Sequence, residues 1–442
     1  MSDVWQQLPE ATRTALVRRG TAAWREVYEG VATHNKEWRP LRPPIMSAAT
    51  YDSMTGISAT IARLILAACQ RRAGTAGELR RALGMPVGYI DLLDEDLPLT
   101  EDLLGGVRAD ILLSDGTPYV VEANIDSALG GAHDSDGVAR RFLDAYAGDP
   151  MLDELGLQAP ASAVDARYEA VRSALQLTGE DRLAMVFTTG GTYPGSQDGL
   201  AMIKLLESFS ERGRELGLDM RVYPVEWLTL DDDGRLCVDD GPIDAVLRMF
   251  VPQGMKPSDG LDALGTAVAS RSVRMFTATA SWLLASKTIL AWLWSDLYEL
   301  DPADAEVVRQ HVPRTEILSA VLRERVLAEQ REWVLKPNGS YGGVGVVVGP
   351  EVDAATWANA VEEALSEGGY IVQQHIEVDR LTMQFVHLES EEIHEADVPF
   401  CVAPYLFAGI PAGAYLRFTV PGAGPVVNVG QGALTSGLLL MP

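Results

Sequence analysis

Positive charge is short in this chain. Its 442 residues carry 36 Lys and Arg against 62 Asp and Glu, a formal net charge of −26. A nucleic-acid backbone is gripped by a basic stripe, so the balance argues against a nucleic-acid partner. Any phosphorylated ligand must then be met by a few placed cations or by Mg²⁺. Cysteine is far scarcer still. Cys69, Cys237 and Cys401 are odd in number, far apart and without CxxC spacing. That removes a disulfide framework and a structural zinc, and points to a reducing, cytoplasmic setting. Met1–Thr14 lacks the charged-then-apolar pattern of a secretory leader. No apolar run is long enough for a bilayer, because the most apolar stretch, Ser281–Trp294, is interrupted by Lys287. There is no internal repeat, coiled coil or low-complexity tract. What remains is an ordinary globular composition, 47% hydrophobic and 22% charged, long enough for roughly two to four structural units.

The most informative stretch runs from Val107 to Asn124. Two apolar runs flank Ser114-Asp115-Gly116-Thr117, the pattern of a β-hairpin. Alternation puts Arg108 and Asp110 on one face, and Glu122 and Asn124 on one face. A turn centred on Gly116 sets Asp110 opposite Glu122 and Arg108 opposite Asn124, with Ile111, Leu113 and Val121 behind. Two carboxylates and an amide oxygen are hard ligands that suit Mg²⁺. The guanidinium suits a phosphate or carboxylate. A solvated hairpin face with one salt bridge would use the same residues.

Around this hairpin the spacing predicts helices over Thr12–His34, Ser58–Arg72 and Thr75–Leu83, with a proline-rich break at Arg39–Pro44. Ser127–Gly137 reads as a Gly/Asp/His loop, and Val138–Tyr146 as a helix. From about Pro160 the pattern alternates: strand Leu183–Thr189, loop Gly190–Ser196, helix Asp198–Gly217, strand Met220–Trp227, strand Ile243–Phe250. This predicts a small α/β layer with a parallel sheet, whose first loop sits where such sheets bind ligands. Ser281–Leu297 and Glu316–Gln330 read as helices, Trp357–Ser366 as another, and Tyr370–Val378 as a strand.

Lys336-Pro337-Asn338-Gly339-Ser340-Tyr341-Gly342-Gly343-Val344-Gly345 lies between two β-rich runs. Its glycines let backbone N–H groups approach a polyphosphate, or simply make a tight bulged turn. It is not a Walker loop, since no GK[ST] opens a helix after it. Lys336, ahead of the glycines, could neutralise phosphate oxygens. Gln373-Gln374-His375-Ile376 ends an apolar strand and could present backbone groups to an adenine edge. Arg417 lies inside the strand Tyr415–Thr419, where a charge needs a partner. Lys287 sits in an apolar helix and could snorkel to the surface.

In this order the motifs resemble the circularly permuted ATP-grasp ligases, most closely the glutathionylspermidine-synthetase-like branch. There an R-x-D strand is followed by an E-x-N strand, as Arg108, Asp110, Glu122 and Asn124 are here. Ordinary ATP-grasp enzymes carry their acidic metal residues after the nucleotide loop; here they precede it. The resemblance covers most of residues 86–442 and only loosely the first 85. No cysteine-peptidase-like domain is visible, so nothing ties the chain to glutathione or spermidine.

The resemblance implies an α/β (α+β) ATP-grasp fold, circularly permuted. It divides into a helical N-terminal region (1–85), metal-binding strands (86–159), a preATP-grasp-like α/β domain (160–275) and nucleotide-binding lobes (276–442). It implies a carboxylate–amine ligase that uses ATP and two Mg²⁺ ions. Asp110, Glu122 and Asn124 would hold the metal. Lys287 and Lys336 would bind the α- and β-phosphates. Gly339, Ser340, Tyr341, Gly342, Gly343 and Gly345 would close over the triphosphate. Gln373, Gln374, His375 and Ile376 would line the adenine pocket, Arg417 would approach the phosphates, and Arg108 would hold the attacking carboxylate. The partners would be a small-molecule acid and amine: an amino acid, a peptide, a polyamine or a carrier-bound acyl group. A small-molecule kinase on the same fold, or a non-catalytic nucleotide-binding protein, is the alternative. Selectivity is expected at Ser127–Asp136 and Gly190–Ser196.

Overall fold

A computed structural model of the chain describes residues 4–31, 35–189, 197–239, 241–339, 342–424, 427 and 432–442. Its centre is a seven-stranded sheet. The long strand Ile393–Phe407 is the hub. Its first half pairs antiparallel with Arg380–His387, and its second half lies between Ile410–Phe418 and the early strand Gly106–Ser114. Chain segments far apart in sequence therefore share one ladder. One face of this sheet packs into the largest core, where Ile111, Leu113, Met383, Phe385, Val402 and Phe418 are buried against helix Ala48–Gln70.

The N-terminal region is helical over Glu10–Val27 and Ala48–Gln70. The second helix starts well before Ser58, because Ser47 caps it by accepting from Thr50 N and because Tyr51 and Met54 are buried. The proline-rich segment is more than a break. Trp38–Pro40 adds an edge strand beside Arg380–His387, and Ile45–Ser47 pairs in parallel with Leu439–Met441.

A second, four-stranded sheet is wholly parallel: Arg274–Phe276, Ala245–Arg248, Arg182–Phe187 and Asp219–Pro224 in spatial order. Leu183–Phe187 is buried throughout, as a strand covered on both faces must be. Helix Ala163–Leu175 packs with one apolar cluster on this sheet, and helix Asp259–Ala269 with another. The Gly190–Ser196 loop lies outside the described residues.

A third sheet, again of four strands, orders Thr315–Ile317, Tyr370–Gln374, Trp333–Pro337 and Val347–Val348. Helix Ala354–Glu367 covers it through Trp357 and Val361.

Three further expected elements differ. Glu316–Gln330 is not one helix: Thr315–Ile317 is an edge strand, and only Arg323–Ala328 is helical. Pairing with Gln373, Val372 and Ile371 outweighs weak helix propensity there. The expected loop Ser127–Gly137 turns helical at Ala132, after Gly131 enters at φ 89°. Ser281–Leu297 breaks into a 3₁₀ segment, Thr279–Ala285, and an α-helix, Thr288–Ser295. Lys287 sits at the break, not inside a helix, and is 4% exposed rather than snorkelling. The break frees Lys287 N to donate to Asn338 O at 3.3 Å.

Candidate active site

The hairpin turns at Asp115 and Gly116, with φ of 47° and 75°. This two-residue turn pairs Ser114 with Thr117 and Ile111 with Val120. Continued unbroken, it would set Asp110 opposite Val121. A bulge at Val121 adds a residue, so Asp110 faces Glu122 and Arg108 faces Asn124. The expected pairs are thus met by a tighter turn plus a bulge. The bulge also corrects one side chain. Val121 lines a cleft, and Val120 takes the buried place behind.

Both ends of the hairpin are held. At the tip, the Asp379 carboxylate accepts from Asp115 N and Gly116 N, each at 2.9 Å, and Asp379 N donates to Leu113 O at 2.7 Å. At the foot, Asp126 forms a buried ion pair with Arg248 of the parallel sheet, and Ser127 Oγ donates to Arg248 O at 2.7 Å.

The cleft, about 690 Å³, opens between the seven-stranded sheet and the third sheet. Asp110, Leu112, Val121 and Glu122 of the hairpin border it, together with Cys401 and Arg417 of the same sheet. Val334, Lys336 and Val348 face it from the third sheet, with Gly343 and Val346 of the glycine loop and Gln373–Val378. The glycine loop is a hairpin as expected, Trp333–Pro337 pairing with Val347–Val348. Gly342, Gly343 and Gly345 adopt φ of 72°, 74° and 74°, a region costly for other residues. At Gly339 a Cβ would meet Tyr89 Oη at 2.2 Å. Ser340 and Tyr341 lie outside the described residues.

Charges interlock across the floor. Arg417 Nη2 lies 2.7 Å from Asp110 Oδ1, and Lys287 Nζ lies 3.0 Å from Glu122 Oε1. Burial would raise the Asp110 carboxyl, but the charges of Arg417, Arg108 and Lys287, with an Arg417 hydrogen bond, hold it below the usual carboxylate range. Lys336 Nζ donates to Gln373 Oε1 at 2.6 Å and to the bulge carbonyl of Val121 at 3.4 Å. Burial pulls this ammonium down to about 8; Glu122 opposes the shift and the Lys287 charge adds to it. Burial pushes the Cys401 thiol up to about 12, which makes it an unreactive neighbour of Arg417. Burial lowers His375, keeping it neutral near pH 7.

Not every expected residue borders the cleft. Lys287, 4% exposed, is outside its lining and meets it through Glu122. Asn124 lies two register pairs beyond Glu122. Its amide nitrogen donates to Arg108 O at 3.2 Å and Asp110 Oδ1 at 3.4 Å, which leaves the amide oxygen for a cation. Arg108 donates to Gly130 O at 2.9 Å and stacks 4.9 Å from the Tyr415 ring centre. Gln374 is tied to Arg314 by backbone N–H to carbonyl at 2.7 Å. Ile376 borders the cleft. Sequence reasoning missed Arg331, Arg380, Glu332, Glu351 and Glu377 in the lining. Their only local signal was charge beside a strand end, which solvated faces share.

Among the described residues no group of three or more His, Cys, Asp or Glu could hold a metal. Two carboxylates and an amide on one hairpin face are an incomplete cage. They fit a hard ion such as Mg²⁺, which takes its remaining ligands from water and phosphate.

No family model and no curated protein matches the sequence. Solved structures do resemble it. A glutathione synthetase-like effector from Globodera pallida, in apo form, superposes with a TM-score of 0.55 at 12% identity, covering 97% of this chain and 97% of that one. A putative gamma-glutamylcysteine synthetase from Methylobacillus flagellatus has a TM-score of 0.43 at 14% identity, covering 89% of this chain and 88% of its own. D-alanyl-alanine synthetase A from Vibrio cholerae has a TM-score of 0.30 at 12% identity, covering 59% of this chain and 89% of its own. The likeness to the first bears on fold, and the fold is mixed α/β of the ATP-grasp, glutathione-synthetase-like kind.

Proposed function

We propose that this chain is an ATP-dependent carboxylate–amine ligase with a circularly permuted ATP-grasp core of the glutathionylspermidine-synthetase-like branch. The observation that carries this reading is the meeting, in one cleft, of the early hairpin carboxylates with Lys336, Gly343, Gln373 and Arg417 from the last third of the chain. The four regions 1–85, 86–159, 160–275 and 276–442 serve that meeting.

In this reading Asp110, Glu122 and Asn124 hold Mg²⁺, which drains charge from the transferring phosphoryl group. Lys287, Lys336 and Arg417 bind phosphate oxygens. The loop from Gly339 to Gly345 covers the triphosphate and keeps water from the activated acid. Gln373–Ile376 face the base. Arg108, on the same hairpin face as Asp110, orients the substrate carboxylate. That carboxylate attacks the γ-phosphorus of ATP, and ADP leaves. An amine then attacks the acyl carbon of the acyl phosphate, expelling inorganic phosphate and losing a proton. Arg108 stabilises the anionic tetrahedral centre. The acid and amine are small molecules: an amino acid, a peptide, a polyamine or a carrier-bound acyl group. A cytoplasmic setting belongs to the same reading; no described helix is long and apolar enough to cross a membrane.

The test is incubation with Mg²⁺-ATP and pooled amino acids and polyamines, reading nucleotide products and new masses together. ADP, phosphate and an amine-dependent amide are expected. A stable phosphorylated product without amide would make the protein a kinase, and AMP with pyrophosphate would overturn the acyl-phosphate route.

A further inference from the structure

Each hairpin carboxylate already has a cation on it. Arg417, 5% exposed, pairs with Asp110, and Lys287, 4% exposed, pairs with Glu122. The third cation, Lys336, rests on neutral acceptors, the Gln373 side-chain oxygen and the Val121 carbonyl. Among the described residues, three cations thus gather around the two hairpin carboxylates: Lys336 and Arg417 in the cleft lining, and Lys287 behind it, reached through Glu122. Among the described residues, buried Arg417 Nε also has no hydrogen-bond partner.

This arrangement resists a lone ligand of either sign. A divalent cation that took Asp110 and Glu122 would draw the carboxylate partner away from each of two buried cations. A polyphosphate that took Lys287 and Arg417 would strand two carboxylates. When both arrive, every partner is exchanged for one of the same sign: metal for cation on the carboxylates, phosphate for carboxylate on the cations.

We propose that Lys287 and Arg417 are exchangeable counter-ions that occupy the metal ligands until a nucleoside triphosphate arrives, so that divalent cation and triphosphate bind jointly and neither binds well alone. The inference rests on the nucleotide reading above and adds to it the form in which the cofactor is taken. Lys336, held by neutral groups alone, is the first cation offered to the triphosphate.

Binding of Mn²⁺ to the full chain, read by electron paramagnetic resonance and calorimetry, tests this without turnover. A saturating non-hydrolysable ATP analogue should tighten Mn²⁺ binding by roughly 5- to 150-fold, and Mn²⁺ should tighten the analogue by the same factor. In Lys287→Met, free Mn²⁺ should bind tighter, the metal-free analogue weaker, and the coupling should shrink. Absent coupling in the native chain, or free Mn²⁺ binding equal or weaker in Lys287→Met, would overturn the inference. Should that variant fail to fold, Glu122→Gln decides: released Lys287 should tighten metal-free analogue binding, and an unchanged or weaker affinity refutes the exchange. Coupling without amide formation would remove the ligase reading alone. Amide formation without coupling would remove this inference alone.

Discussion

Asp110 and Arg417 close the floor of the cleft as an ion pair of 2.7 Å, their side chains 12% and 7% exposed. One comes from the early hairpin and the other from the strand Ile410–Phe418, two strands away across Ile393–Phe407. The carboxylate expected to hold a metal is also a structural counter-ion.

Removing Asp110 therefore does more than remove a ligand. Asp110→Ala leaves Arg417 buried without its counter-charge, which costs about 3–5 kcal/mol in comparable sites. Denaturant unfolding should show a loss of that order for Asp110→Ala, and a smaller loss for Asp110→Ala with Arg417→Met than the two single losses added. Strict additivity would mean that the pair is not coupled.

Arg108 lies on the hairpin face of Asp110 but beyond the cleft lining, against Tyr415. Arg108→Ala should keep Mg²⁺-ATP affinity and lower amide formation by about 10²–10³-fold, the usual loss of an oxyanion donor. Product yield at the native level would remove the assignment.

Lys336 gives a pH signature. Its ammonium titrates near 8 in the folded chain, below the ordinary lysine value, because burial disfavours the charge. Phosphate binding needs the charged form, so affinity for a non-hydrolysable ATP analogue should fall as pH rises through about 8, approaching tenfold per unit above it. Stability moves the other way. Between the folded and unfolded values the unfolded chain holds more protons, so this group makes the fold more stable as pH rises. Lys336→Met should bind the analogue weakly and lose the pH dependence; a native-like profile in that variant assigns the titration elsewhere.

Asp379 ties the hairpin tip to the segment His375–Val378 that borders the cleft. Asp379→Ala should speed hydrogen exchange at Asp115 and Gly116 and lower stability by about 1.5–3 kcal/mol, the range for hydrogen bonds to a charged group. Asp379→Asn keeps one acceptor oxygen and should fall between. Unaltered exchange at both amides in Asp379→Ala would show that the tip holds its form unaided.

Much of the site was legible because its signals are local. Alternation puts Arg108 with Asp110 on one face of their strand and Glu122 with Asn124 on one face of theirs, and glycines after Lys336 announce a backbone that other residues resist. Lys287 was legible as an anomaly, a charge in an apolar run, but its setting was not. At the break, Asn338 O accepts from Lys287 N and Glu122 receives its ammonium, partners that lie far away in the chain. Glu316 misled for a similar reason: its strand forms only because Val372 lies alongside.

The sequence by itself determined which donors share a face within each strand and in what order the motifs run, since side-chain direction follows from bonds within each segment. Only the tertiary structure decided that Val121 bulges, that Asp110 meets Arg417 and Glu122 meets Lys287, and that Asp379 clasps the tip. Those partners lie on different strands and loops. A charge finds its partner by where the sheet places it, and sheet pairing is settled by burial summed over the whole core rather than by any residue's neighbours in the chain.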